Sequence, residues 1–448
     1  MKKLIFIIMI ISSFFVFYSC IPTGLFTPLI SNYYPSAGIA EFTFKETVSD
    51  VYLSTGKGNI YMTKVSDKKY MFDTKKYDFT SKNQTFQLNY RTSSKNYSEN
   101  VYFEYIPLQI IVIGGGDNNL NNNLLNDISE IRDGVENSKI PVTVTVIADY
   151  YDSSDRIITF TKYNGNFYYY TIDPLYYGLE SEFKTADINS VKNYFNTVTS
   201  FNPETKKFLI FWDHGKAWLD ESKSDYSLRS IMTDDSDSDA IIKISEVKSL
   251  LEDYKNTAGK NIDVIGFDAC NMAMTEIIYE LADYTDYFVG SASPEPAEGY
   301  DYNFISYFNG NISYLLDRLV YSYDNNEHSD VYYKTMVAIK TEGFRQFIKN
   351  NLKNNLKDFH PKAFYKLGNY DDYFTDVNYV LNNYPDDMII NKSLGSSFSG
   401  YNISGYNISG IGIAYNITDY YHSPIPDYRE LLFYKENQNW VENIYNLW

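Results

Sequence analysis

The chain has 448 residues and a formal charge of −18, and 44% of its residues are hydrophobic. That length and apolar fraction allow two or more domains with ordinary cores and exclude wholesale disorder. The acidic balance speaks against a nucleic-acid partner, whose phosphates it would repel, and favours basic partners or substrates.

The two cysteines, Cys20 and Cys270, divide cleanly. Met1-Lys2-Lys3 and the apolar run Leu4 to Phe17 form a charged n-region and an h-region too short for a stable membrane span. Phe17-Tyr18-Ser19-Cys20 resembles a bacterial lipobox, with Phe17 where leucine is usual. Cleavage there would leave Cys20 as a lipidated N-terminus that anchors the chain to a membrane. The other reading is an ordinary secretory signal that contains a cysteine. Both readings export the protein, either lipid-anchored in the bacterial cell envelope or secreted. Cys270 then has no disulfide partner, and a lone thiol in an exported protein is most simply a nucleophile.

Residues 1–20 thus read as a lipoprotein-type signal and 21–36 as a tether broken by Pro22, Pro28 and Pro35. Residues 37–106 alternate in strand fashion (Phe42-Thr43-Phe44, Val51-Tyr52-Leu53, Phe86-Gln87-Leu88), with turn signals such as Gly56-Lys57-Gly58-Asn59 between them. They predict a small all-β, sandwich-like domain that serves as spacer or binding module. Pro107 opens an α/β region over 107–448. Leu108 to Ile113 reads as a strand followed by Gly114-Gly115-Gly116, and Leu124, Leu125, Ile128 and Ile131 carry helical spacing. A strand at Pro141 to Ala148, a hairpin at Ile157 to Tyr170 and a helix at Ile188 to Val198 follow. Then come an apolar strand ending at His214, a polar insertion, a helix from Ser245 to Tyr254 and a strand from Ile262 to Phe267. Further on, Ile312 to Tyr323 and Thr341 to Leu356 read as helices, Val331 to Ile339 and Gly410 to Tyr415 as strands, and Trp440 to Trp448 as a closing helix. Strands alternating with helices predict a mostly parallel sheet covered on both faces, with its site at the C-terminal strand ends.

The chemistry sits at two such ends. Phe208-Leu209-Ile210-Phe211-Trp212-Asp213-His214-Gly215 delivers an imidazole on a glycine turn, and Ile262 to Phe267 leads through Asp268-Ala269 to Cys270. A cysteine there stands at the sheet edge and at the start of a predicted helix, whose dipole and free N–H groups favour a thiolate. The thiolate would attack an acyl carbon while the imidazole manages protons for it and for the leaving amine. Gly215 leaves room for a backbone N–H to face the developing oxyanion, with the Cys270 N–H as second donor. The histidine-first order is that of caspases, whose histidine lies about 50 residues upstream of an Ala-Cys pair. The bland alternative is a buried structural cysteine beside an unrelated histidine.

Phe211-Trp212-Asp213-His214-Gly215 and Gly266-Phe267-Asp268-Ala269-Cys270-Asn271-Met272-Ala273 resemble the paired histidine and cysteine motifs of the clostripain family, cysteine peptidases with the caspase-like fold. The resemblance continues through Asp117-Asn118-Asn119-Leu120, Asp234-Asp235, Ser291-Ala292-Ser293-Pro294-Glu295-Pro296 and Gly299-Tyr300-Asp301-Tyr302, and so covers about Leu108 to Trp448. It implies a caspase-like α/β/α sandwich and an endopeptidase with His214 and Cys270 catalytic. Ala217 departs from it, because the family often has a second glycine there. Asp268 lies two residues before Cys270 and shares its face in extended backbone. The resemblance implies that this carboxylate pairs with a P1 Arg or Lys; the alternative is an N-cap on the following helix. A bare carboxylate beside the thiol opposes its ionisation, so a basic P1 side chain helps both binding and reactivity. Family members often cut themselves between the two motifs, where Arg229 and then Lys223 are the candidate sites.

No cofactor is required by this chemistry. Asp235, Asp237, Asp239 and Glu246 mimic a calcium loop, but Ala240 stands where its glycine belongs, and a solvated acidic loop is the alternative. Gly114-Gly115-Gly116 lacks the residues of a nucleotide site and reads as a tight strand exit. His328, His360 and His422 have no metal spacing, and Gly-Tyr-Asn-Ile-Ser, twice in succession over 400–409, reads as a hairpin or surface loop. The expected protein is a monomeric peptidase acting on protein or peptide substrates. The rival is a surface-anchored binding protein whose peptidase-like domain is inactive.

Overall fold

The computed structural model describes residues 29–74, 83–151, 154–200, 202–215, 217, 231–232, 241–325, 335–353, 365–367, 370–394, 408–414 and 426–445. They fall into two compact units. One comprises Glu41–Phe72 and Thr85–Tyr102 with the chain up to Tyr33; the other comprises Tyr34–Ala40, Asp73–Gln84 and Phe103–Trp448.

The strands of the first region are β1 (Ile30–Tyr34), β2 (Ile39–Phe44), β3 (Ser49–Thr55), β4 (Gly58–Tyr61), β5 (Thr63–Ser66), β6 (Lys69–Asp73), β7 (Gln84–Arg91) and β8 (Asn96–Phe103). They form two four-stranded sheets, ordered β1-β2-β6-β5 and β4-β3-β7-β8. Along β7 Phe86, Leu88 and Tyr90 are buried while the residues between them are not, and the rings of Phe44 and Tyr90 meet between the sheets at 4.9 Å. The sandwich expected from period-two patterning is therefore present. Its first strand lies inside the stretch expected to be tether, because Ile30 to Tyr34 supplies an edge to β2.

The second unit runs β9 (Leu108–Gly116), α1 (Asn121–Glu136), β10 (Val142–Tyr150), β11 (Arg156–Tyr163), β12 (Asn166–Ile172), α2 (Ile188–Val198), β13 (Lys206–Trp212), α3 (Ile244–Ala258), β14 (Ile262–Asp268), α4 (Thr275–Leu281), β15 (Thr285–Gly290), α5 (Ile312–Asn325), β16 (Thr335–Lys340), α6 (Phe344–Asn351), β17 (Tyr365–Leu367), β18 (Tyr370–Asp376), β19 (Ile389–Leu394) and β20 (Gly412–Ala414). Three short helices follow, α7 (Pro426–Glu430), α8 (Leu432–Glu436) and α9 (Gln438–Tyr445). Nine strands form one sheet in the order β12-β11-β10-β9-β13-β14-β15-β16-β19. The five from β10 to β15 are parallel, and the pairs outside them are antiparallel.

Alternation in the central strands feeds two cores. Ile111, Ile113, Leu209, Phe211, Ile265 and Phe267 face the layer of α2, α3, α4 and α6. Ile110, Val112, Phe208, Ile210, Trp212 and Val264 face α1 and α5. Strands buried on both faces read as continuous apolar runs, which is why these were legible. Local signals set the helix ends: Asp187 caps α2 through the Asn189 and Ser190 amides. Gly259, with φ 71°, terminates α3.

The glycine run differs from expectation. Gly114 to Gly116 are the last rungs of β9, paired with Ala148 to Tyr150, rather than a turn after it. A Cβ on Gly114 or Gly116 would meet Leu124 of α1 at 2.8 or 2.6 Å, so the run lets α1 lie close on the sheet. The helix expected over 341–356 is the shorter α6. Among the described residues no helix is long and apolar enough to cross a membrane.

Candidate active site

β13 and β14 are parallel neighbours whose register ends at Trp212↔Asp268. The Asp213 N–H continues the ladder to the Asp268 carbonyl at 3.3 Å. His214 and Cys270 each follow that registered pair by two residues, and they line one cavity of about 220 Å³ with Leu120, Trp212, Asp268, Glu295, Pro296 and Gly299. Cys270 is a half-buried free thiol. The two groups expected to react are brought together, and the thiol is not sealed in the core.

The surroundings of Cys270 correct one expectation. α4 begins only at Thr275, so Cys270 lies in a turn and not at a helix start. Asn271 takes φ 60°, a conformation asparagine tolerates, and its amide N–H and side chain donate to Ser293 O and Ala292 O at 3.1 and 3.0 Å. The helix dipole therefore does not account for an activated thiol. What faces the sulfur is the Glu295 N–H, 3.1 Å from Sγ. Pro294 and Pro296 flank that amide and have no N–H of their own.

His214 is held at its backbone and at its ring. Asp213 Oδ1 accepts the backbone N–H of His214 at 2.5 Å and the Asn118 side-chain amide at 2.9 Å. His214 Nε2 lies 2.8 Å from Asn119 Oδ1. That contact favours the tautomer with the proton on Nε2 and leaves Nδ1 as the basic nitrogen. Gly215 lies backbone to backbone with the nucleophile: a Cβ there would fall 2.4 Å from Cys270 O and 3.1 Å from Cys270 N. Two residues on, Ala217 is fully buried with φ 57°, the left-handed conformation that glycine adopts without strain.

Asp268 points to the α1/α5 face and is only 4% exposed. Its Oδ1 accepts the Tyr300 N–H at 3.0 Å and its Oδ2 the Tyr302 hydroxyl at 2.9 Å. Neither donor belongs to the helix after Cys270, so the N-cap alternative does not hold. Burial pushes its carboxyl up to about 7, against the lowering effect of those hydrogen bonds. Glu295 is raised well above the ordinary carboxyl range by burial and by the Asp268 charge, and Asp127 by the same two causes. Asp127 is tied to the site through Trp212, whose Nε1 donates to it at 2.6 Å. Gly299, with φ 55°, packs against Asp268, and a Cβ there would meet Oδ1 at 2.4 Å.

Cys20, Lys223, Arg229, Asp235, Asp237, Asp239, His328, His360 and His422 lie outside the described residues, as do positions 400–407 of the repeat. The last repeat residue, Ser409, is buried and donates to Asp376, so the repeat does not end as a surface loop. Glu246 accepts the Lys243 N–H at 2.8 Å, which is the helix-start role. Among the described residues the carboxylates of Asp117, Asp149 and Glu182 could jointly hold a cation, their oxygens lying within 4.8 Å of one another. Sequence reasoning missed this group, as it missed the roles of Asn119, Asp213 and Glu295. The signal available was position: Asp117 to Asn119 follow β9, which neighbours β13.

The model of the clostripain family (peptidase C11) matches residues 112–432. No curated protein matches the chain. One similar solved structure is a secreted C11 cysteine protease from Bacteroides thetaiotaomicron in complex with an irreversible peptide inhibitor, at 18% identity and TM-score 0.56, covering 73% of this chain and 98% of that one. Another is an inactive zymogen C11 protease from Parabacteroides distasonis, at 15% identity and TM-score 0.55, covering 74% of this chain and 98% of that one. At such identities the likeness shows the fold, which is the α/β/α sandwich expected from the motifs. The family match spans more than half of the chain and takes in both strand ends that carry the thiol and the imidazole; the chain belongs to the clostripain family and is a cysteine-type peptidase acting on peptide or protein substrates.

Proposed function

We propose that the protein is an endopeptidase that cleaves after Arg or, less strongly, Lys, with Cys270 as nucleophile and His214 as acid and base. The Cys270 thiolate attacks the scissile carbonyl carbon, and the oxyanion that forms is met by the Gly215 and Cys270 amides. The imidazolium gives its proton to the leaving amine as the C–N bond breaks, leaving a thioester on Cys270. The imidazole then takes a proton from water, whose oxygen attacks the thioester carbon; the C–S bond breaks, the acid product leaves, and the Cys270 thiolate is restored beside the imidazolium. Thiol and imidazole supply this chemistry without a cofactor; a calcium ion would have a structural part only.

The observation that carries the basic specificity is the Asp268 carboxyl, buried in the cavity beside Cys270 with no lysine or arginine against it among the described residues. A buried acid without a cation is costly, and a P1 guanidinium or ammonium would relieve it. The test is a P1-randomised peptide library incubated with the purified protein and with Cys270→Ala. Cleavage after Arg and Lys by the first and none by the second is expected. Cleavage with no basic preference would refute the specificity.

Maturation by self-cleavage at Arg229, or secondarily Lys223, belongs to the same proposal, and the Parabacteroides relative described as an inactive zymogen is in line with it. Purified protein should split between His214 and Cys270 while Cys270→Ala stays whole; a split in the variant would remove the idea. Export is supported by the N-terminal signal pattern and by the Bacteroides relative described as secreted. Lipidation at Cys20 predicts detergent-phase partitioning that Cys20→Ala abolishes.

A further inference from the structure

The cavity beside Cys270 is lined by two carboxyls, those of Asp268 and Glu295, and the Asp268 charge raises Glu295. Two carboxylates in one buried cavity repel each other, so the pair keeps one proton. The other donors indicate where it resides. Asp268 already accepts from Tyr300 and Tyr302. Glu295 Oε1 is sealed from solvent and meets no donor, although the residue as a whole is half-buried. A carboxyl whose sealed oxygen meets no donor is the one of the two that stays protonated.

Among the described residues no lysine or arginine lines the cavity that holds the pair. Asp268 and Cys270 stand at the β14 end, Asp127 and Glu130 face it from α1, Glu298, Tyr300 and Tyr302 from the loop after Glu295, and Tyr323 from α5. Among the described residues these are acidic or neutral, and His214, which lines the same cavity from the β13 end, is the group there that can carry positive charge. Glu295 is also fastened to the nucleophile, since its own N–H faces Cys270 Sγ. One residue thus faces the reacting sulfur and shares a cavity with the acid proposed to select P1.

We propose that Glu295 is a second specificity-determining residue, which holds the proton of an acid pair with Asp268 while the pocket is empty and releases it to solvent when a cationic P1 side chain enters. The pocket then carries two negative charges only with a basic residue inside it, and binding of that residue is coupled to loss of one proton. This rests on the basic-P1 reading above and adds to it a proton stoichiometry and a residue.

The test uses reversible peptide aldehydes that differ only at P1, arginine against its neutral isostere citrulline, with wild type and with Glu295→Gln. Glutamine keeps the shape but cannot ionise. In wild type the arginine-to-citrulline affinity ratio should rise with pH between 6 and 8, approaching tenfold per pH unit where one proton is lost. In Glu295→Gln the slope should vanish above pH 7, where Asp268 is already ionised, and the ratio at pH 8 should fall at least tenfold. Because the ratio cancels the chemistry of the thiol, it reports the pocket alone. Calorimetry of wild type in two buffers of different ionisation enthalpy measures the released proton without any variant. If wild type does not prefer arginine, the basic-P1 reading itself fails. If it does, but no proton is released or Glu295→Gln keeps slope and preference, this inference alone is overturned.

Discussion

The backbone N–H of Glu295 points at Cys270 Sγ across 3.1 Å, and the same residue lines the cavity that holds Asp268. A donor aimed at sulfur favours thiolate over thiol. Pro294 and Pro296 restrict the segment, so the donor is held in place by chain stiffness. Pro296→Ala should slow alkylation of Cys270 by iodoacetamide several-fold at neutral pH with little change in melting temperature. An unchanged rate would show that the amide does not matter to the thiol.

Asn119 is a positioning residue for His214, acting through Nε2. The bond is exposed, so its loss should cost about 1 kcal/mol, roughly fivefold in kcat. Asn119→Ala should lower kcat by that amount with KM unchanged. Asn119→Asp, by favouring the imidazolium, should move the acidic limb of the pH–rate profile upward. Identical profiles for wild type and both variants would argue against the contact.

Gly215→Ala should reduce kcat/KM by about 100-fold or more, the scale of losing one oxyanion donor, because a Cβ would fall 2.4 Å from Cys270 O. Circular dichroism separates that loss from misfolding. Gly299→Ala intrudes instead on Asp268 and should lower the preference for arginine over citrulline at P1 by about tenfold, the scale of a hydrogen bond to a charged group.

Ala217 pays for its left-handed backbone, φ 57°, with strain that glycine lacks. Ala217→Gly should raise the denaturant midpoint, worth up to about 1 kcal/mol. A lower midpoint would mean that the buried methyl contributes more than the strain removes.

Burial pushes the carboxyls of Asp268 and Glu276 up to about 7 and that of Asp155 up to about 6. Each binds its proton more tightly folded than unfolded, so its contribution to stability is complete below the unfolded carboxyl range. It is lost as pH rises through the folded value. These groups should make melting temperature fall between about pH 4 and pH 7 and level off above. Asp268→Asn should gain on wild type at pH 8 and not at pH 4; an equal effect at both would contradict the raised carboxyl.

Much of this was legible in the sequence because both reacting residues end apolar runs, and parallel strands buried on two faces leave such runs. The register that sets His214 beside Cys270 was not legible, since strand order is decided by crossover helices and not by the strands themselves. The helix after Cys270 was placed too early because Met272, Ala273 and Met274 are apolar at any spacing, yet Met274 pairs with Gly412 as a bridge. Glu295 stayed hidden because a glutamate between prolines reads as a surface turn until the cavity shows what it faces.

The central claim is that Cys270 attacks the bond while Asp268 chooses the residue before it. Initial rates on paired arginyl and citrullinyl peptides, for wild type, Cys270→Ala and Asp268→Ala, test it most directly. The account predicts fast arginyl cleavage by wild type, none by Cys270→Ala, and residual cleavage without arginine preference by Asp268→Ala. Arginyl cleavage that survives Cys270→Ala, or a preference for arginine that survives Asp268→Ala, would contradict it.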